Sequence, residues 1–166
     1  MKKSSLAGIL MVATIAASSG AMAQNAYDMY GPTSFEGIYA GGYLGGMMSS
    51  NSKWTGGGVA GANFEVTDSI MIGAEAQAGV SSDGTTTSFD GLMLGKAGVL
   101  ASPETMAYVA AGGGSVAGKW SWAAGGGAEY MVLDSVGVRG EVLAIGNTVN
   151  GWTDTKATAG VVWHVK

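Results

Sequence analysis

The chain has 166 residues, 30 of them glycine, with 2 prolines and no cysteine, and its formal net charge is −4. Glycine without a Gly-X-Y period excludes collagen. Glycine at this density argues against a helical bundle, because each interior glycine costs a helix about 1 kcal/mol against alanine. Charged residues make up only 12% of the chain, so it lacks both the charge of a disordered tail and the basic patch of a nucleic-acid binder.

The chain opens with Lys2 and Lys3, an apolar run from Leu6 to Ala17, and the small-x-small site Ala21-Met22-Ala23. That order is the signature of a cleaved secretory signal peptide over residues 1–23. The apolar run is too short for a membrane-spanning helix, which needs about 20 residues. Residues 24–34, QNAYDMYGPTS, are expected to form a short periplasmic tail.

From residue 35 onward the apolar residues alternate. Between Ser69 and Ser81, Ile70, Ile72, Ala74, Ala76, Ala78 and Val80 take one face, and Met71, Gly73, Glu75, Gln77, Gly79 and Ser81 the other. Period two marks a strand with an apolar side and a polar or empty side. The same pattern predicts eight strands, at about 36–48, 53–66, 69–81, 88–101, 105–117, 119–133, 135–147 and 152–165. Each is long enough for the 9–11 residues that a tilted membrane strand requires.

The connections alternate as well. Thr67-Asp68, Ser102-Pro103-Glu104 and Asp134 are tight turns, whereas Ser49–Ser52, Ser82–Thr87 and Thr148–Gly151 are longer and polar. The link between strands five and six is placed at Gly114–Gly118. Short turns at one end and longer loops at the other are the pattern of outer-membrane barrels. Both prolines, Pro32 and Pro103, fall outside the strands, where no ladder bond is lost.

Aromatic residues sort by strand end. Trp54, Phe89 and Trp120 lie near strand starts on the loop side, and Phe64, Tyr130 and Trp163 near the opposite ends. Two such rows are expected to form the interface girdles of a membrane barrel. Trp152 also lies at a loop-side start, but its parity with Asp154 and Lys156 places it inward. The inward polar set is Asn63, Glu65, Glu75, Gln77, Lys96, Glu129, Arg139, Glu141 and Lys156, with His164 on the same parity as the last. Charges in a narrow lumen must pair or take up water. Glu65, Glu75, Lys96, Glu129, Arg139, Glu141 and Lys156 are therefore expected to form an ion-pair network that plugs the lumen. Glu129 and Arg139 lie symmetrically about Asp134 and are placed as a cross-strand pair.

Strands this apolar on one face need a second sheet or lipid against them. In lipid the sheet must close, since each unsatisfied backbone group at an open edge costs several kcal/mol. The expected fold is therefore an all-β, eight-stranded antiparallel up-and-down transmembrane barrel over residues 35–166.

Signals for chemistry are sparse. His164 has no partner motif, the glycine triplets 112–114 and 125–127 lack the G-K-[ST] of a phosphate loop, and the Asp83–Thr87 loop has one carboxylate where calcium needs several. No catalytic, cofactor or metal site is expected.

Three stretches carry a family resemblance: Phe35-Glu36-Gly37-Ile38-Tyr39-Ala40-Gly41-Gly42; Gly95-Lys96-Ala97-Gly98 followed by Tyr108 and Gly112-Gly113; and Trp122 to Val142, with its G-G-G-A-E-Y, turn and V-R-G-E-V. Together they resemble the small opacity-like, porin-like outer-membrane barrels of Gram-negative bacteria. The chain ends in Trp163-His164-Val165-Lys166, where that family usually ends in an aromatic residue. The resemblance implies an outer-membrane protein with a structural, envelope-stabilising or surface role and no catalytic site. Its implied partners are outer-membrane lipid and lipopolysaccharide, with periplasmic chaperones and the barrel-assembly machinery during biogenesis. The alternatives are a narrow passive pore for small solutes and a soluble secreted or periplasmic barrel binder.

Overall fold

The computed structural model describes residues 35–48, 52–147, 149 and 151–165. The signal peptide, the 24–34 tail and Lys166 lie outside the described residues. Eight strands follow one another: β1 (Gly37–Met48), β2 (Lys53–Thr67), β3 (Ile70–Ser82), β4 (Thr87–Ser102), β5 (Thr105–Val116), β6 (Lys119–Leu133), β7 (Val136–Asn147) and β8 (Gly151–Val165). Each pairs antiparallel with its chain neighbours, and β1 pairs with β8 from Ile38↔Val165 to Met48↔Thr155, closing the barrel. Period-two alternation thus becomes an inner and an outer face on every strand.

The two ends differ in construction. At one end, two residues join β2 to β3, β4 to β5, and β6 to β7. Each of these turns follows a register shift, between Glu65 and Thr67, Leu100 and Ser102, and Met131 and Leu133. An extra residue before each turn sharpens the twist that closure needs. The second residue of each turn then accepts a bond from two strands on: Leu100 N to Ser69 O, Met131 N to Glu104 O, and His164 N to Ser135 O. We call this the turn end, and the opposite end the loop end.

Two sequence expectations are corrected. The β5–β6 link is shorter than Gly114–Gly118: β5 runs to Val116, one residue short of the expected 117, and Ala117 and Gly118 alone make the turn, at φ 49° and 74°. Positive φ at both positions is the primed geometry that matches strand twist in a two-residue hairpin. Trp152 does not face inward. Ile145 pairs with Asp154 but Gly146 with Trp152, so Thr153 is an extra residue and the parity flips. Trp152 shares the outer face with its partner Gly146 and is exposed.

Eight strands enclose an interior just wide enough for side chains. Glycine makes it habitable. Tyr39 reaches over Gly61, Tyr43 over Gly57 and Gly79, and Tyr108 over Gly127; a Cβ at any of these would strike the tyrosine. At Gly41, Gly45, Gly112, Gly114 and Gly125 a Cβ would overlap the carbonyl oxygen of the adjacent strand. These inward positions are where the sheet bends to close. Phe35, Met71, Leu100, Met106 and Met131 fill the turn end, and Met47, Val59, Leu92, Val116, Leu143 and Ile145 pack towards the loop end.

Candidate functional site

Between those apolar layers lies a buried polar cluster built on β1, β3, β4, β5, β7 and β8. Glu75 is its centre. Its carboxylate accepts from Arg139 Nη1 at 2.7 Å and Nη2 at 3.0 Å, from Lys96 Nζ at 3.1 Å and from Gln77 Nε2 at 2.8 Å. The Tyr39 hydroxyl donates to the same group. The bidentate Arg139 fork matches the carboxylate plane, which a lysine cannot do.

Glu141 is the second centre. It accepts from Arg139 Nη2 at 2.6 Å, Gln77 Nε2 at 2.7 Å and the Tyr108 hydroxyl at 3.0 Å. Gln77 returns the connection, its Oε1 accepting from Lys156 Nζ at 2.8 Å. Tyrosine faces complete the cation shells: Lys96 Nζ lies 4.1 Å from the Tyr108 ring centre, and Lys156 Nζ 4.3 Å from that of Tyr43. Glu75, Lys96, Arg139, Glu141 and Lys156 are all at least nine-tenths buried.

Glu129 and Arg139 are direct register partners. Their side chains nevertheless part, because Arg139 turns to the glutamates at mid-lumen. Glu129 instead meets His164, with Oε1 and Nε2 2.6 Å apart. His164 packs against Phe35 and Tyr39, with ring centres 5.9 Å and 5.3 Å away. Glu129 Oε2 and His164 Nδ1 are buried and find no hydrogen-bond partner. Glu65 stands opposite Met71, four residues along β3 from Glu75, so it belongs to the turn-end rim rather than to the mid-lumen cluster.

Sequence reasoning missed Tyr39, Tyr43, Tyr108 and Asp90. All four share the inner parity of their strands, and Tyr39 and Tyr43 alternate there with Gly41 and Gly45, a signal that would have found those two. Asp90 is buried, and its Oδ1 accepts from Ala117 N at 2.9 Å, bracing the β5–β6 hairpin.

The outer face is the reverse of the lumen. Among the described residues, every Asp, Glu, Lys and Arg within the strands lies on the inner parity or at a strand end. Exposed aromatics bound the remaining band: Trp54, Phe89, Trp120 and Trp152 at the loop end, and Phe64, Tyr130 and Trp163 at the turn end. Trp54 to Phe64 and Trp120 to Tyr130 are each ten residues. At about 3.3 Å per residue and a tilt of about 40°, that separates the rows by about 25 Å.

Outside the barrel wall, Asp83 Oδ1 accepts from the N–H groups of Thr85 and Thr86 at 2.9 and 2.8 Å. Those bonds hold its carboxyl below the usual range, with Lys53 adding to the effect. Among the described residues no group of three or more His, Cys, Asp or Glu is placed to hold a metal ion.

No family model matches the chain, and no curated protein does. Among the solved structures that resemble it are two of known description. One is EF1p2_mFAP2b bound to DFHBI, with a TM-score of 0.50 and 11% identity over 80% of this chain and 94% of that one. The other comes from work on the de novo design of transmembrane β-barrels, with a TM-score of 0.47 and 19% identity over 78% of this chain and 97% of that one. The first likeness is one of fold alone. The chain is a closed, eight-stranded antiparallel all-β barrel.

Proposed function

We propose that this chain is an integral outer-membrane β-barrel of the small opacity-like, porin-like kind, with a structural or surface role in the envelope and a plugged lumen. One observation carries the reading: an outer band about 25 Å tall, apolar and free of charge, between two aromatic rows. That height matches the apolar band of outer-membrane barrels. In water such a band would be an exposed hydrophobic surface of unusual extent. In lipid, closure satisfies the backbone and the band meets acyl chains. The mid-lumen cluster supplies the plug, since its cations and carboxylates bond one another across the interior. Export by the signal peptide, handling by periplasmic chaperones and insertion by the barrel-assembly machinery belong to the same reading, which assigns no catalysis.

The test is membrane fractionation of the full chain, with gel mobility compared before and after boiling. An integral barrel stays with the outer membrane and shifts on heating; recovery as a soluble periplasmic protein would overturn the reading. Ala76→Arg places a charge at the middle of the outer band. It should disfavour insertion by about 2–4 kcal/mol, measured as the folded fraction in phosphatidylcholine vesicles. In planar bilayers the barrel should give no steady conductance, and a steady current would remove the plug from the proposal.

A further inference from the structure

Lys156 and Asp90 are opposite charges inside the lumen, each at least nine-tenths buried, and neither has an ion pair among the described residues. Lys156 Nζ donates to the neutral amide oxygen of Gln77 at 2.8 Å and lies 4.3 Å from the Tyr43 ring centre. The carboxylates whose charge it feels most are Glu141 and Asp90. Glu141 already serves Arg139, Gln77 and Tyr108. Asp90 Oδ1 accepts from Ala117 N at 2.9 Å, and its second oxygen has no partner among the described residues.

Tyr43 spans the interval between the two charges. Its ring lies by the ammonium, and its hydroxyl lies over Gly57 and Gly79. Gly79 is the register partner of Asp90, which is the charge that Tyr43 feels most. The hydroxyl has no hydrogen-bond partner among the described residues. Thr55, two residues along β2 from Gly57 on the same face, is 1% exposed, and its Oγ1 is also without a partner. Buried charges and hydroxyls left open in this way cost free energy unless something pairs with them.

The lumen opens on this side. Phe35, Glu129 and His164 shut the turn end at no more than 1% exposure, whereas Lys53, Ser88 and Asp154, the inward residues at the loop-end mouth, are half-buried. Between that mouth and Tyr43 the inward positions of four strands are small, as Gly45, Thr55, Gly114 and Ser121, which leaves room above the tyrosine.

We infer that this vestibule binds a small zwitterionic solute, its carboxylate on the free donors of Lys156 and its ammonium on the open oxygen of Asp90. Charge balance selects that class. An anion alone would leave Asp90 unpaired and a cation alone would leave Lys156 so, while a solute carrying both satisfies both with charge-assisted bonds. The hydroxyls of Tyr43 and Thr55 supply the neutral contacts. The mid-lumen cluster closes the floor, so the site is a blind pocket, and it forms whether the outer face meets lipid or not.

The full chain, folded in neutral detergent with carbon-13 in its tyrosine rings, is titrated with glycine, β-alanine and 4-aminobutyrate, which space the two charges by one, two and three carbons. Acetate, methylammonium and sodium chloride are the controls at equal ionic strength. The Tyr43 ring signal, assigned by its loss in Tyr43→Phe, should shift saturably with at least one zwitterion and with none of the controls. Asp90→Asn keeps the acceptor for Ala117 N but removes the charge. It should weaken binding about tenfold, on the scale of one lost charge-assisted bond, and Thr55→Val should weaken it by less. Unchanged Tyr39 and Tyr108 signals show that each variant is folded. No shift with any zwitterion, an equal shift with acetate or sodium chloride, which would mean an adventitious ion only, or Asp90→Asn binding like the parent would each overturn the inference.

Discussion

Glu75 and Glu129 both project into the lumen from neighbouring levels of one barrel, yet their surroundings differ. Glu75 has both oxygens bonded, by two cations, an amide and a phenol. Glu129 has one oxygen on His164 and the other on nothing. A fully satisfied buried network fixes one arrangement of the side chains in it, whereas a half-satisfied pair carries the desolvation of its orphan atoms. The middle of the lumen is therefore the part that specifies and rigidifies. The turn end is held by the apolar packing of Phe35, Met71, Leu100, Met106 and Met131 around an imperfect polar pair.

The sharpest break in that contrast is Arg139→Ala. It strips the fork from Glu75 and the single bond from Glu141, leaving two buried carboxylates with Lys96 as the remaining direct cation on Glu75. Breaking a buried pair in this way typically costs about 3–5 kcal/mol. The loss should appear as a lower unfolding midpoint in urea, followed by gel mobility in detergent. Arg139→Lys should recover part of it, since a point charge replaces the fork. An unchanged midpoint for Arg139→Ala would show that the cluster contributes nothing to stability.

How much of this was legible beforehand depends on period and parity. Period two fixed the inner and outer faces of β3, and with them Glu75 and Gln77, because side-chain direction in a strand is set locally. Parity failed at Trp152, where an extra residue at Thr153 reverses the faces; a bulge is a ladder property with no local signature. It was also silent on pairing. Glu129 and Arg139 were placed opposite each other and are, but which carboxylate an arginine reaches across a lumen depends on strands far away in sequence. Glu75 lies 64 residues from Arg139. The β5–β6 turn is shorter than the Gly114–Gly118 link because Gly114 is a strand residue whose lack of a side chain serves close approach to Gly91 of β4.

A smaller effect separates the two regions through their glycines. A Cβ at Gly127 would strike both the carbonyl of Gly140 and the ring of Tyr108, whose hydroxyl lies 2.7 Å from it. Gly127→Ala should therefore displace Tyr108 from Glu141 and cost about 1–3 kcal/mol by overpacking. Gly137 is the turn-end counterpart. There a Cβ meets Glu129 Oε1 at 2.9 Å, and Glu129 Cγ and Met131 Sδ at 3.2 Å, all parts of flexible side chains. Gly137→Ala should cost clearly less than Gly127→Ala in the same urea titration. The reverse order would mean that the turn end, not mid-lumen, is the tightly specified region.

The smallest change is expected where both members of the imperfect pair are replaced together. Removing one partner from a buried contact leaves the other desolvated and unpaired, but replacing both by apolar groups of similar shape removes the orphan atoms along with the bond. Glu129 Oε2 and His164 Nδ1 are such atoms, in a layer shared with the apolar Phe35, Met106 and Met131, and the Tyr39 ring also packs on His164. The double variant Glu129→Leu with His164→Phe should leave the urea midpoint unchanged or raise it. Glu129→Leu alone should lower it, because His164 then has neither ring nitrogen bonded. Coupling of that sign, read from the four-member cycle, identifies the pair as a tolerated defect in an otherwise apolar layer. If instead the double variant lost as much as Arg139→Ala, the orphan atoms would be satisfied in the folded protein in the membrane, and the contrast between the two regions would fail.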